Sequence, residues 1–358
     1  ATEFTGAPTV ILAKTVKGWT LGKGIESRNY THQAKKMRED ELRVFRDRLE
    51  LPIPDDKLHD YPYFHPGSGS EEVDYMIQRR ASLGGSVPRR VVRAKPLPAP
   101  APEVDAEFAK GSTTEVSTTM VFARILRNLL RDPELGRRIV PIIPDEARTF
   151  GLDPLFKEVG IYAAHGQRYT PVDSDLILSY RESIDGQVLE EGINEAGSMA
   201  SLQAAGTAYA THGEPMIPFY MFYSMFGFQR TGDQAWAFGD QRGRGFMIGA
   251  TAGRTTLAGE GLQHNDGHTH VLASTVPCVR GYDPAFAYEL AAIVRDGVQR
   301  MYGDGEDVFY YVTVYNENYP QPAKPDGVDE GIVRGLYRFA AAPEIADVKG
   351  RVRLVGSG

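Results

Sequence analysis

The 358-residue sequence reads as an α/β protein with a mostly parallel sheet flanked by helices. Two observations carry that reading. Beyond a proline-rich stretch, short apolar runs alternate with segments whose apolar residues recur at helical spacing. The composition, 42% hydrophobic and 24% charged, is that of a folded globular chain, and the length is enough for two or three domains with separate cores.

Taken in order, Pro8 to Thr15 is apolar and β-branched and is expected to form a buried strand. Lys17-Gly18 then opens a loop that runs through Gly22, Gly24 and Asn29 to His32, with the composition of a lid or of an ordinary surface loop. Helices are expected from Glu39 to Leu49 and after Ser70, a candidate N-cap with Glu71 and Glu72 near the positive helix end. Prolines 88, 96, 98, 100 and 102 predict a stiff linker and a domain boundary. Past it, Thr118 to Asp132 carries Phe122, Leu126, Leu129 and Leu130 at helical spacing, and the strand Ile139 to Ile143 ends at Asp145 and Glu146. Further strands are expected at Met216 to Tyr223, Phe246 to Thr251 and Val308 to Tyr315. Between the last two, a helix is expected to start at the cap Asp283-Pro284.

Charge and cysteine content exclude several classes. Forty Lys and Arg against 47 Asp and Glu give a net charge of -7, which supplies no electrostatic reason to bind nucleic acid or an anionic membrane. No apolar run approaches the roughly 20 residues of a bilayer span. The one cysteine, Cys278, cannot form an internal disulfide and suits a reducing cytoplasm. The chain starts without Met or a signal-peptide profile and stops at RVRLVGSG, so it is expected to be cut at both ends.

Ligands of open α/β sheets gather outside the carboxyl ends of the strands, so polar residues after predicted strands are the first candidates. Asp145 and Glu146 are either site carboxylates or a helix cap neutralised by Arg148. In Glu190-Glu191-Gly192-Ile193-Asn194-Glu195 a helix opens with small residues behind it. Glu195 is then either a carboxylate inside an apolar contact, prepared by desolvation for proton sharing, or a cap on a solvated helix end. The aromatic run Phe219 to Phe228 is core, or a wall for a flat ligand. His264, His268 and His270 in Gly259 to His270 suggest zinc, but a glycine-rich loop without cysteine fits acid, base or donor roles better.

These clusters, with the segments ILAKTVKG, PIIPDEARTFG, EEGINEAG, IPFYMFYSMFGFQR, GRTTLAGEGLQHNDGHTH and YDPAFAYE, resemble the homodimeric pyruvate dehydrogenase family along essentially the whole chain. DGHTH is also similar to the DGPTH of transketolases. The resemblance implies a transketolase-like thiamine-diphosphate-binding fold and a fragment of a larger three-domain chain. Residues 1–87 would be the end of the diphosphate-binding domain with active-site loop 18–32, and 88–104 a linker. Residues 105–328 would be the aminopyrimidine-binding domain, and 329–358 the start of a C-terminal domain.

The same resemblance implies oxidative decarboxylation of pyruvate with thiamine diphosphate and magnesium, followed by acetyl transfer to the lipoyl domain of dihydrolipoyl acetyltransferase. Glu195 would hydrogen-bond the aminopyrimidine nitrogen and switch the cofactor on, with Phe226 stacked on that ring and Tyr223, Ile193 and Asp145 beside it. His264, Glu260, Glu146, His270 and Lys17 would face substrate and intermediate, and His32 the lipoyl group. Two departures are visible. Trp19-Thr20 stands where an aromatic-glycine pair is expected. Gly303-Asp304-Gly305 lacks the downstream Asn of a magnesium motif, Arg334 standing there instead, so it reads as a turn. Magnesium and diphosphate ligands are therefore expected outside this chain, with Glu195 serving a cofactor anchored on the other subunit of a homodimer. The competing readings are transketolase-like carbon transfer, a metal hydrolase on His264, His268 and His270, and a non-catalytic dimerisation piece.

Overall fold

In the computed structural model, residues 3–85, 92–145, 147–172, 174, 180–253 and 261–358 are described. The chain divides into two units, Ala1–Arg89 and Arg90–Gly358.

The first unit holds the helices α1 (Glu39–Arg48) and α2 (Glu71–Ser82). Glu41 accepts from the Arg38 amide at 2.9 Å to start α1, and the Ser70 hydroxyl accepts from the Val73 amide at 3.3 Å to start α2, as its cap position predicts. The expected strand Pro8 to Thr15 does not form: its side chains are exposed, Leu12 by 91%, and it lies outside every described strand. A β-branched run satisfies its backbone only beside another strand, and the described residues offer it none. The loop after Lys17 is a series of tight turns. Ser27 N donates to Lys17 O at 3.0 Å and Glu26 N to Gly22 O at 2.9 Å, around the buried Ile25. Thr20 sits within them at φ 77, a left-handed conformation that a β-branched side chain adopts only with strain.

The second unit starts with a proline-rich segment docked on the body. Arg295 donates to Pro100 O at 2.7 Å and to Asp105 Oδ1 at 2.8 Å, and Leu97 N bonds Tyr302 O at 2.9 Å. After it come β1 (Ser112–Val116), α3 (Thr118–Leu130), β2 (Ile139–Ile143), α4 (Asp153–Glu158), β3 (Ile161–Tyr162), β4 (Glu182–Ser183) and β5 (Leu189–Glu190). Then follow α5 (Glu195–Thr211), β6 (Ile217–Tyr223), α6 (Gly227–Asp240), β7 (Phe246–Ala250), α7 (Thr269–Ala273), β8 (Val279–Tyr282), α8 (Ala287–Val298), β9 (Phe309–Thr313), β10 (Tyr319–Gln321) and α9 (Asp329–Val333). The six-stranded sheet runs β5-β2-β6-β7-β9-β8, parallel throughout. From 334 to 358 the chain forms no helix or strand.

An aromatic ladder crosses the sheet. Register sets Phe219 opposite Phe246 and Phe246 opposite Tyr310. The Phe219 and Phe246 rings stack at 4.5 Å, Tyr310 lies 5.4 Å from Phe246, and Phe122 of α3 closes on Phe219 at 5.8 Å. Alternation sends Phe309 and Tyr311 to the opposite face, where Phe238 of α6 meets Phe309 at 5.0 Å. The sheet is thus covered on both sides, and the continuous apolar runs are its strands.

Two expected boundaries move. α8 starts at Ala287, because Glu289 accepts from the amides of Ala285 and Phe286 at 2.7 and 2.9 Å. Asp283 does not cap it; its carboxylate accepts from Thr313 Oγ1 at 2.6 Å and the Tyr315 hydroxyl at 2.7 Å. α3 ends at Leu130, and Asp132 instead accepts from the amides of Glu134 and Leu135 in the next turn.

Two glycine substitutions in this unit have opposite expected signs. A Cβ at Gly206 in α5 would lie 2.6 Å from Arg244 O and from the Phe238 ring, whereas one at Gly232 in α6 would meet nothing within 4 Å. In urea denaturation of the chain, Gly206→Ala is expected to lose about 1–3 kcal/mol by overpacking. Gly232→Ala is expected to gain about 0.4–1 kcal/mol through the unfolded state. In the first unit, Thr20→Gly relieves the left-handed strain at some entropic cost and is expected to stabilise the turns by roughly 0.5–1 kcal/mol. Slower amide exchange at Leu21 and Ser27 is the readout, and unchanged exchange would contradict the strain.

Candidate active site at the carboxyl edge of the sheet

The carboxyl ends of β2, β5, β6 and β7 lie side by side, and the residues that follow them build the site. After β6 the chain turns through Ser224–Phe226 directly into α6. That turn is tight because Gly227 faces the Phe222 ring, where a Cβ would fall 2.0 Å from a ring carbon. It carries Tyr223 and Phe226 out of the core that holds Phe219 and Phe222, so the aromatic run is part core and part wall.

His264, in the short turn Leu262–His264, meets both rings edge-on, at 4.8 Å from Tyr223 and 5.4 Å from Phe226. Phe150 backs Tyr223 at 5.4 Å. Among the sequence-predicted site residues, Tyr223, Phe226 and His264 therefore gather in one cluster.

Glu195 is the first residue of α5, behind the cap Asn194, whose side chain accepts from Gly197 N at 3.0 Å. Its side chain is 12% exposed. Within this chain its partner is Arg230, with Nη1 2.5 Å from Glu195 Oε1. The same guanidinium lies over the Phe226 ring, 4.1 Å from its centre. Arg230 is the residue that sequence reasoning missed. It follows Phe226 by one helical turn, and that aromatic-to-cation spacing was the available signal.

Other candidates lie elsewhere. The three histidines diverge. His264 faces the aromatic cluster, while His270 in α7 approaches Thr313 Oγ1 at 2.9 Å and the Tyr311 ring at 4.8 Å. His268 lies 3.9 Å from a carboxylate oxygen of Asp266. Among the described residues no three His, Cys, Asp or Glu side chains gather as a metal's ligands would. Asp266 is buried and accepts from the amides of His268 and Thr269, both at 3.1 Å, which starts α7. Burial would raise its pKa, but hydrogen bonds from the Thr269 hydroxyl and from the amides of Thr269 and His268 outweigh burial and leave it below the usual carboxylate value.

Ile193 and Asp145 are exposed at the rim, and Glu146 and Glu260 lie outside the described residues. Lys17 and His32 belong to the first unit, where Lys17 Nζ and His32 Nδ1 are 2.7 Å apart. The structure thus joins the two loop residues to each other. No described helix is long and apolar enough to cross a membrane.

The family model for the pyruvate dehydrogenase E1 component middle domain matches residues 103–322. The chain is 54% identical to a pyruvate dehydrogenase E1 component of Pseudomonas aeruginosa, over 100% of this chain and 40% of that relative. It is 55% identical to the one of Mycobacterium tuberculosis, over 99% of this chain and 39% of that relative. The chain therefore spans about two fifths of the length of these relatives. Among solved structures, a transketolase from Campylobacter jejuni superposes with a TM-score of 0.55 at 14% identity, covering 88% of this chain and 43% of that one, a likeness of fold.

Burial at His270 has a consequence for stability. Desolvation holds its pKa below the ordinary 6.5, against the raising influence of Asp283 and Asp266. On acidification the unfolded chain therefore takes up a proton that the folded chain refuses, so stability is full above that value and falls as pH drops below it. His270→Gln is expected to flatten this component between about pH 7.5 and pH 5.5. Urea midpoints at the two ends check it, and a variant with the wild-type slope would contradict it.

Proposed function

Since the chain belongs to the family of the pyruvate dehydrogenase E1 component middle domain, we propose that it supplies the pyrimidine-side half of a thiamine-diphosphate site that decarboxylates pyruvate. The observation that carries this reading is the slot between Phe226 and Glu195. A flat, nitrogen-bearing group already fits there, its central carbon over the ring at 4.1 Å from the centre and its nitrogen hydrogen-bonded to the carboxylate at 2.5 Å. An aminopyrimidine likewise has a flat face for Phe226, and its ring nitrogen accepts from Glu195 when the carboxyl group carries the shared proton, so the residues present suit the group. Thiamine diphosphate, when bound, supplies the carbon nucleophile and electron sink that side chains lack.

This chain's own residues then have distinct tasks. Glu195 holds and shares a proton with the ring nitrogen, fixed in place by the cap at Asn194. Phe226 supplies the stacking wall, and Tyr223 with Phe150 holds it from behind. His264, edge-on to both rings, is the cluster's group for moving a proton at the substrate. Asp145 and Ile193 border the ring, and Glu146, Glu260 and His270 serve substrate and intermediate. Lys17 acts on substrate and His32 on the incoming lipoyl group.

Magnesium and the diphosphate are held by residues beyond this chain, on the other subunit of a homodimer. Residues 1–87, 88–104, 105–328 and 329–358 are then the end of the diphosphate-binding domain, a linker, the pyrimidine-binding domain and the start of a third domain. The lipoyl domain of dihydrolipoyl acetyltransferase takes the acetyl group, in the cytoplasm.

In the full-length enzyme, Glu195→Gln keeps shape but cannot take the proton. It is expected to lower turnover of pyruvate by about a hundredfold to ten-thousandfold, with the dimer intact by mass measurement. A Gln variant turning over near the wild-type rate would overturn the assignment.

A further inference from the structure

Arg230 makes both of the contacts that the site reading reserves for a cofactor ring. Its guanidinium is planar, covers the face of Phe226 at 4.1 Å and donates to Glu195 at 2.5 Å. A ring entering on that face, toward that carboxylate oxygen, would have to take both contacts from it. Two further features concern its support. The residue after it, Thr231, departs from helical backbone with φ -125 and ψ 20 and splits α6. Beyond the split, α6 is bound to α5, with Gln234 Nε2 donating to Ala196 O at 3.0 Å and Gln203 Nε2 to Gln234 O at 2.9 Å. Arg230 therefore sits on a short turn ahead of an anchored helix, and its side chain is 47% exposed.

We propose that Arg230 is a placeholder: it closes the slot between Phe226 and Glu195 and swings out to solvent when a flat nitrogen heterocycle enters. The proposal rests on the reading that Glu195 and Phe226 receive the pyrimidine ring. The placeholder keeps the carboxylate partnered and the ring covered, and every entering ring must displace it. The competent, open fraction of sites sets the apparent affinity in proportion. An exposed cation-aromatic contact is modest, so the expected effect is a factor of roughly three to ten.

The test uses the full-length dimer with thiamine diphosphate and magnesium, read by stopped-flow quenching of protein fluorescence and by calorimetry. Arg230→Met, which keeps the apolar stem without the flat cation, is expected to bind faster and about three- to tenfold tighter. Arg230→Lys, which keeps a cation without a flat face, should fall between. Binding by the Met variant that is no faster, or is weaker, would overturn the placeholder. A second arm needs no variant. Crystals of the wild-type dimer grown without and with thiamine diphosphate should show the guanidinium on Phe226 in the first and off it in the second; one position in both also overturns the proposal. If Glu195→Gln and Phe226→Ala both leave cofactor affinity unchanged, the underlying site reading fails instead, which separates the two failures.

Discussion

Parallel pairing of β2, β6, β7 and β9 is the constraint on which the rest of the second unit depends. Because every strand runs the same way, each must be followed by a crossover, and every crossover leaves from the same edge. Phe226, Glu195 and His264 come from three different crossovers, 31 to 69 residues apart in sequence as their numbers give. Their meeting is a property of the sheet order. The stack of Phe219 on Phe246, with Tyr310 and Phe122 at its ends, locks the register of the central strands. A one-residue slip would turn those rings to the wrong face and pull the crossovers apart.

Much of that sheet was legible because buried parallel strands are continuous apolar runs, and Ile139–Ile143, Ile217–Tyr223, Phe246–Ala250 and Phe309–Thr313 have no other plausible use. The same signal misled at Pro8 to Thr15, where composition is equally apolar but no described strand lies alongside. Composition reports what a segment tolerates, whereas a strand also needs a neighbour for its amides and carbonyls. Asp283 failed for a related reason. Before a proline it has the local pattern of a cap, yet Thr313 and Tyr315, about thirty residues on, offer it hydroxyl donors while Glu289 caps the helix from within.

The site was legible in its aromatic and histidine members and opaque in its electrostatics. Tyr223 and Phe226 could be placed because they end a strand, and His264 because it lies in a polar loop. The partner of Glu195 could not, since Arg230 is 35 residues away on a different helix. The spacing of the three histidines suggested one ligand set. A short turn at His264 and the helix at Thr269–Ala273 send His264 and His270 to different strands' ends. Sequence proximity within a loop is a poor guide to side-chain direction once a helix intervenes.

The identity of the cation beside Glu195 matters physically. A lysine there would be a compact, strongly hydrated point charge, with no reason to lie on Phe226. A guanidinium is flat, weakly hydrated on its faces and rich in edge donors, so it can satisfy an aromatic face and a carboxylate at once. Those are also the demands that a protonated or hydrogen-bonding nitrogen heterocycle makes of its surroundings. The 4.1 Å cation-aromatic contact and the 2.5 Å hydrogen bond therefore describe the chemical shape of the slot as much as they describe Arg230. A site whose internal partner and external ligand share that shape can exchange one for the other without leaving Glu195 unpaired at either end. That is why a carboxylate with only 12% of its side chain exposed can stand at the mouth of a helix without the penalty of an unpartnered buried charge.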